Sequence, residues 1–170
     1  MAEPPKISDP TQRFSDRVDN YVRYRPDYPR GVLDILREGA GLTPAAVIAD
    51  IGSGTGISTA LFLQNGNPVF AVEPNGEMRG AAEKWLQTDP RFHSVDGRAE
   101  ATTLPGASVD FIVAAQACHW FDLEKTRAEF RRILRPVGWV VLLCNRRLKH
   151  TTPFLRDYEA LLRTYATDYA

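Results

Sequence analysis

Val47-Ile48-Ala49-Asp50-Ile51-Gly52-Ser53-Gly54-Thr55-Gly56 is the stretch that decides the fold of this chain. An apolar run containing one acid breaks into three glycines at alternate positions. The run predicts a short buried strand, and the glycines predict a tight turn into a following helix. Backbone without Cβ atoms lets a ligand approach closely, and a helix start offers unpaired N–H groups. The stretch therefore predicts a ligand site at a strand-to-helix turn.

A second apolar strand, Pro68-Val69-Phe70-Ala71-Val72, ends in Glu73. In an open parallel sheet the carboxyl ends of neighbouring strands meet at one edge, and ligands bind there. An acid at the tip of the second strand is placed to accept hydrogen bonds from both hydroxyls of a ribose. The two strand ends together predict a nucleoside-containing cofactor on a doubly wound α/β sheet.

The glycine spacing discriminates between cofactors. The dinucleotide fingerprint G-x-G-x-x-G makes room for a pyrophosphate, but here Ile57 occupies the position of the third glycine. Asp50, two residues before Gly52, is unfavourable beside a diphosphate and suits a positively charged amino group. The spacing therefore disfavours a nicotinamide-dependent oxidoreductase.

Strands and helices alternate along the chain, which predicts right-handed βαβ crossovers in one domain. The predicted helices are 30–40, 56–64, 76–86, one that Asp122 caps and that runs to Leu134, and 153–165; the predicted strands are 47–51, 69–73, 92–95, 109–115 and 139–144. The last strand is almost wholly apolar, as expected of a strand covered on both faces. Residues 1–12 are expected to form a loose tail and residues 13–170 a single domain, divided into 13–40, 46–147 and 151–166.

Composition excludes several classes of function. The 170 residues carry 21 basic and 21 acidic side chains, so the net charge offers no bulk attraction for nucleic acid or anionic membrane. No apolar run reaches the length of a membrane span, and the polar start does not look like a signal peptide. Cys118 and Cys144 are predicted as buried thiols in a reducing, cytoplasmic compartment. His93, His119 and His150 are too scattered to indicate a metal site.

Three further segments, with the glycine turn and Glu73, carry a family resemblance. Tyr21-Val22-Arg23-Tyr24-Arg25-Pro26-Asp27-Tyr28-Pro29 is similar to an N-terminal lid, and Gly97-Arg98-Ala99-Glu100 with Leu104-Pro105 is similar to a loop that holds adenine. Ala115-Gln116-Ala117-Cys118-His119-Trp120-Phe121 is similar to the segment after strand four. Together these segments resemble class I S-adenosylmethionine (SAM)-dependent methyltransferases, and most of all the small-molecule branch that includes trans-aconitate methyltransferase-like proteins. The resemblance spans about residues 14 to 147.

The resemblance implies a Rossmann-like, mostly parallel sheet of about five strands in the order 3-2-1-4-5 with helices on both faces. It implies SAM as cofactor, S-adenosylhomocysteine as product, and a small-molecule acceptor such as a carboxylic acid. Asp50 would face the SAM ammonium directly or through water, and Glu73 would bind the ribose diol. The other implied cofactor residues are Gly52, Ser53 and Gly54 around the amino-acid part, Pro74, Asn75, Met78, Arg98, Ala99 and Glu100 around adenine, and Gln116 under the methionyl chain.

Within that adenine set, the Ala99 N–H would reach a ring nitrogen. Relatives often carry a hydrogen-bond acceptor at the position of Arg98. Arginine has none, so adenine selectivity would come from backbone carbonyls or from Glu100.

The acceptor side is predicted from residues after strand four and from the lid. His119 is a candidate base or carboxylate-orienting group, and the alternative is a hydrogen-bonded structural histidine. Trp120 would line the pocket or pack in the core. Tyr21, Tyr24, Arg25 and Tyr28 would form a lid, or an arm packed permanently on the sheet.

Two features depart from the family pattern. The turn Arg135-Pro136-Val137-Gly138 is expected to be type I, because Val137 cannot cheaply adopt a positive φ. Family members continue through two more strands, which are missing here, so strand five is expected to be an exposed edge. The chain is then either a fragment or has this edge covered by a partner or a second copy. The alternative function is a non-catalytic remnant that binds SAM or only a partner protein.

Overall fold

The structure is a computed structural model that describes residues 25–146, 148–149 and 151–166. In chain order the elements are α1 (Gly31–Ala40), β1 (Ile48–Ile51), α2 (Ile57–Gln64), β2 (Val69–Val72), α3 (Gly76–Leu86), β3 (Phe92–Val95), β4 (Val109–Ala115), a short 3-10 helix (Cys118–Trp120), α4 (Leu123–Ile133), β5 (Leu134–Leu143) and α5 (Pro153–Tyr165). The five strands pair in parallel in the order β3-β2-β1-β4-β5. This order confirms the predicted α/β class and topology.

Alternation along the central strands builds a core on each face of the sheet. Ile48 of β1 belongs to a buried cluster that includes Phe62 of α2 and residues of α1. Its neighbour Ala49 belongs to a second cluster, with Ile133 of α4. Because β1 is buried on both faces, it reads as a continuous apolar run interrupted only by Asp50. The two clusters fix the carboxyl ends of β1, β2 and β4 side by side.

The expectation that strand five is covered on both faces is wrong. Within the part of the chain that the structure describes, β5 pairs with β4 and with no other strand. Trp139, Val140 and Leu142 are 45–57% exposed. The apolar composition of β5 therefore does not correspond to burial of its side chains. Its position at the edge of the described sheet agrees with the prediction of an exposed edge strand.

The two cysteines are also less buried than predicted. Cys144 follows β5 and is exposed, while Cys118 begins the 3-10 helix and is half-buried. Both thiols are free. Their apolar sequence neighbours belong to edge and loop segments, so those neighbours do not bury them.

The expected type I turn before the apolar part of β5 is wrong as well. Val137 has φ 61°, which a type II turn requires at its third position. A Cβ on Gly138 would lie 2.8 Å from the Asp110 carbonyl oxygen and 2.7 Å from the Leu134 Cδ1 atom. Glycine is therefore needed at position 138 for close packing, and it is the neighbouring Val137 that adopts the left-handed conformation.

The described residues contain no helix whose length and apolar content would allow it to cross a membrane.

Replacing Val137 by glycine is expected to stabilise the fold. The valine side chain is 99% exposed, so its removal loses no packing. A left-handed conformation costs an L-residue roughly 1–2 kcal/mol, and glycine loses roughly 0.5–1 kcal/mol in chain entropy. Urea unfolding of Val137→Gly should give a free energy of unfolding raised by about 0.5–1 kcal/mol. Val140→Gly, in extended backbone of the same strand, is the control and should destabilise; an unchanged or lowered value for Val137→Gly would contradict the strain.

Candidate active site

A cavity of about 490 Å³ opens at the carboxyl ends of β1, β2 and β4. This is the edge at which doubly wound sheets bind ligands. Its walls come from the loops after these strands, from α3 and α4, and from the segment before α1. The lining residues are Arg25, Gly52, Gly54, Glu73, Pro74, Asn75, Met78, Arg98, Ala99, Glu100, Ala115, Gln116, Ala117, His119, Trp120, Phe121, Asp122 and Lys125. We call this cavity the crevice.

The glycine turn after β1 forms the floor of the crevice. Gly52 has φ 69°, and a Cβ there would lie 2.7 Å from the Ala117 Cβ atom. The segment after β4 can therefore cross close to the turn only because position 52 lacks a side chain. Gly52 and Gly54 line the crevice, whereas Ser53 lines a smaller cavity beside it.

The Glu73 carboxylate lies in the crevice wall and links two strand-to-helix turns. Its Oε2 atom accepts the Gly54 N–H at 2.9 Å, and its Oε1 atom accepts the Asn75 N–H at 2.8 Å. Burial raises the pKa of Glu73, and these two N–H donors oppose the rise. Each carboxylate oxygen keeps a second lone pair, so the group can still accept hydrogen bonds from a ligand.

The N-terminus of α3 forms part of the crevice wall, at residues for which the resemblance implies contacts with adenine. Asn75 caps this helix, because its Oδ1 atom accepts the N–H groups of Glu77 and Met78 at 3.0 Å each. Pro74 and Met78 line the crevice beside it, and their contact with adenine stays a prediction. The cap fixes these residues next to Glu73.

Asp50 lies behind the glycine turn and lines neither cavity. Its carboxylate is fully buried, and its Oδ2 atom accepts the hydroxyls of Ser58 and Thr59 at 2.7 Å each. Its Oδ1 atom has no hydrogen-bond partner among the described residues. Burial raises the pKa of Asp50 to about 6, against the lowering effect of the two hydroxyls. Direct contact of Asp50 with a ligand does not fit this burial, and the alternative through water stays a prediction.

The smaller cavity lies between the glycine turn and the segment before α1. It measures about 30 Å³, close to the volume that one water occupies in the liquid. Arg25 lines both cavities, and Tyr28 lines the smaller one. The predicted lid residues Tyr21 and Tyr24 lie outside the described residues.

Residues 97–104 include the segment similar to an adenine-holding loop, and we call them the nucleobase loop for that resemblance. Arg98, Ala99 and Glu100 of this loop line the crevice. The N–H of Arg98 donates to the Ala101 carbonyl at 3.1 Å, and the Ala101 N–H returns to the Arg98 carbonyl at 3.0 Å. Ala99 is buried at the tip of this tight loop, and Arg98 is exposed. The Glu100 Oε1 atom accepts the Asp122 N–H at 2.9 Å, a contact with the start of α4 that the sequence did not indicate.

The segment after β4 carries the predicted acceptor-side residues. Gln116 has φ 56°, and its Nε2 atom donates to the Asn145 carbonyl at 3.3 Å. The His119 and Trp120 rings lie 4.9 Å apart at the crevice. Trp120 is half-buried, lines the crevice and is not among the residues of the two core clusters. The sequence could not show which side chains of this segment face the crevice, because a 3-10 turn is too short to carry an apolar periodicity.

The sequence missed some lining residues. Phe121, Asp122 and Lys125 face the crevice from the start of α4, and Asp122 had been assigned only as a helix cap. Its side chain does accept the Lys125 N–H, at 3.3 Å. Their position in the chain could have indicated this, because α4 starts directly after the segment that follows β4. Across the described ranges, no group of three His, Cys, Asp or Glu residues could hold a metal ion.

Residues 49–142 match the family model described as a methyltransferase domain. This chain belongs to that family. The match confirms the resemblance to class I SAM-dependent methyltransferases, without selecting the trans-aconitate branch.

Individual relatives agree with this assignment. An uncharacterized methyltransferase of Mycobacterium tuberculosis is 37% identical over 134 residues, covering 79% of this chain and 52% of the relative. A SAM-dependent methyltransferase candidate of Saccharomyces cerevisiae is 31% identical over 140 residues, covering 79% of this chain and 46% of the relative. The solved structure of a type II methyltransferase candidate from Anaeromyxobacter dehalogenans superposes with a TM-score of 0.66 at 34% identity, covering 83% of this chain and 59% of that one. The chain thus spans about half the length of the curated relatives it matches.

Buried Asp50 predicts a pH dependence of stability. Its folded pKa of about 6 lies above the ordinary value of 3.8, so the folded state binds the proton more tightly. The free energy of unfolding therefore falls as pH rises from about 4 to about 6, by about 3 kcal/mol from this group. Asp50→Asn removes that loss while its amide oxygen can still accept the two hydroxyls.

Urea unfolding at pH 4 and pH 7.5 measures this effect. The stability of Asp50→Asn relative to the original chain should rise by about 3 kcal/mol between the two pH values. The exposed Asp157→Asn is the matched control and should follow the original profile. Parallel profiles for the original chain and Asp50→Asn would show that Asp50 is ionised at little cost.

Proposed function

We propose that this methyltransferase domain binds SAM in the crevice and transfers the methyl group to a small-molecule acceptor, with a carboxylic acid as the acceptor class. The observation that carries the proposal is the Glu73 carboxylate, held in the crevice wall by two backbone N–H groups beside the glycine turn. A fixed, negatively charged acceptor at the tip of β2 suits a ribose diol.

The crevice offers a separate region for each part of SAM. Gly52 and Gly54 expose backbone for the amino-acid part, and buried Asp50 adds negative charge behind them for the ammonium. Glu73 would accept the ribose hydroxyls. The adenine set of the resemblance (Pro74, Asn75, Met78, Arg98, Ala99 and Glu100) lines one end of the crevice.

The reaction asks little covalent chemistry of the protein. The methyl carbon of a sulfonium is already activated; an acceptor lone pair forms the new bond as the carbon–sulfur bond breaks and its electrons return to sulfur. Catalysis then rests on alignment and on the exclusion of water. The Trp120 ring lies where it could favour a sulfonium cation.

A carboxylate acceptor fits the groups at the other end of the crevice. Carboxylates are ionised at neutral pH and need no base to become nucleophilic. Arg25 brings positive charge to the lining, and His119 would orient the anion. Lys125 also lines the crevice, but its ammonium is paired with Asp122 at 2.9 Å. With a hydroxyl or amine acceptor, His119 would instead take up the proton released at the nucleophile.

The rival function is a SAM-binding or partner-binding remnant without catalysis. The exposed apolar residues of β5 favour it, because edge strands of this kind pair with other chains. Under this rival function, the partner could be a second copy of the chain that pairs through β5. A nucleic-acid partner is not proposed, because the 21 basic and 21 acidic side chains balance. Arg132 and Arg135 are moreover paired with Glu129 and Asp110.

Calorimetric titration with SAM, S-adenosylhomocysteine and NAD tests the cofactor assignment. The first two should bind and NAD should not. Glu73→Gln keeps the shape of the side chain but loses its charge, and its NH₂ group must face either the Gly54 or the Asn75 N–H. Its affinity for SAM should fall on the order of 10- to 100-fold. Glu77→Gln, exposed on α3, should bind as the original chain does; equal affinity of Glu73→Gln would refute the ribose contact.

A tritiated methyl-transfer screen over carboxylic acids, alcohols and amines tests the acceptor. With a carboxylic acid acceptor, His119→Ala should lower kcat/KM by about tenfold and leave the SAM affinity unchanged, because orientation alone is lost. With a hydroxyl or amine acceptor the loss should reach 10²–10⁴-fold. His93→Ala, exposed on β3, is the control. Full turnover by His119→Ala on the true acceptor would remove His119 from the reaction.

A further inference from the structure

Glu129 of α4 lies outside the crevice but holds the base of the nucleobase loop. Its Oε1 atom accepts the Thr102 N–H at 2.8 Å and the Thr102 hydroxyl at 2.5 Å. Thr102 is fully buried, and the Glu129 side chain is only 10% exposed. A buried N–H that loses its only strong acceptor is costly, so this carboxylate fixes where the loop ends.

A second bridge runs through Arg132, one turn further along α4. Its Nε atom donates to the Glu129 Oε2 atom at 2.7 Å, and its Nη2 atom donates to Oε1 at 2.7 Å and to the Leu104 carbonyl at 2.8 Å. The Arg132 guanidinium holds the pKa of Glu129 at about 2, so the carboxylate stays ionised at neutral pH. The two side chains therefore clamp both Thr102 and Leu104 onto α4.

The clamp is transmitted to the tip of the loop because the loop is short and closed. A Cβ on Gly97 would lie 2.8 Å from the Thr102 carbonyl oxygen, so the two ends of the loop touch. Between them, Arg98 and Ala101 exchange two backbone hydrogen bonds. That exchange uses neither backbone group of Ala99, which lines the crevice at the tip.

We propose that Glu129 is a positioning residue for adenine recognition: through Thr102 and Arg132 it sets the direction of the Ala99 N–H toward the ring nitrogen N1. This inference rests on the proposed function. The Arg98 side chain has no hydrogen-bond acceptor and so cannot select adenine. The inference assigns that selection to Glu129, a residue outside the crevice.

The test uses two nucleosides without the amino-acid part, 5′-methylthioadenosine and 5′-methylthioinosine. Inosine carries a hydrogen on N1, so the Ala99 N–H cannot donate to it. The original chain should prefer the adenosine by on the order of tenfold, the worth of one hydrogen bond with a polar group left unpaired. Glu129→Gln directs an NH₂ group toward either Arg132 or Thr102, so donor faces donor and the clamp loosens.

Titrations at pH 7.5 should show Glu129→Gln binding 5′-methylthioadenosine on the order of tenfold more weakly. Its preference over the inosine should fall to about two- or threefold, while the ratio of S-adenosylhomocysteine to 5′-methylthioadenosine affinities stays constant. Thr102→Val keeps the N–H and loses the hydroxyl, so its preference for the adenosine should fall by a smaller factor. This variant provides the test if Glu129→Gln fails to fold. Glu124→Gln, exposed on the same helix, is the matched control.

Unchanged base preference in Glu129→Gln or Thr102→Val, even with lowered melting temperature, would overturn the inference and leave a purely structural contact. If the original chain binds neither S-adenosylhomocysteine nor 5′-methylthioadenosine, the proposed function fails and the inference fails with it. If it binds both without discriminating adenosine from inosine, the inference alone is overturned.

Discussion

Two hydrogen bonds to the Glu73 carboxylate, one from the Gly54 N–H and one from the Asn75 N–H, hold the functional edge of the sheet together. They connect the turn after β1 to the start of α3, so two neighbouring strand-to-helix turns share one side chain. Burying that carboxylate costs desolvation, which the two donors partly offset. The arrangement fixes the shape of the crevice floor and keeps a negative charge in its wall.

A second acid lies on the other side of the same turn. Asp50 is buried behind it, and the Glu73 charge contributes to its raised pKa. The fold therefore places two carboxylates around one glycine turn in a chain of zero net charge. A ligand with positive charge near that turn would stabilise both buried carboxylates. The ammonium and sulfonium of SAM carry such a charge. If SAM binds as we propose, its ammonium favours the ionised form of Asp50, whereas burial favours the protonated form.

Local sequence patterns were enough for the order of elements, because glycine turns, helix caps and apolar runs act over a few residues. The Asp122 cap and the β4 bounds at Val109–Ala115 match the structure for this reason. The failures depend on contacts distant in sequence. The positive φ of Val137 accompanies the close packing of Gly138 on Asp110. The edge position of β5 was predicted, but the exposure of its faces was not, because it depends on which distant segments cover them. Glu73 in the crevice wall was predictable from its strand end; the burial of Asp50 under Ser58 and Thr59 was not.

The two ends of the crevice are built differently, and this difference bears on specificity. The end that we propose for the cofactor is fixed by side-chain hydrogen bonds: Glu73 bonds to the start of α3, and Glu129 joins the nucleobase loop to α4. The end that we propose for the acceptor is lined by Arg25 before α1 and by His119 and Trp120 in the short 3-10 helix after β4. Loops change more readily than the elements they connect. One scaffold can therefore keep a single cofactor while its acceptor varies, and the rigid end supplies the alignment that every such reaction needs.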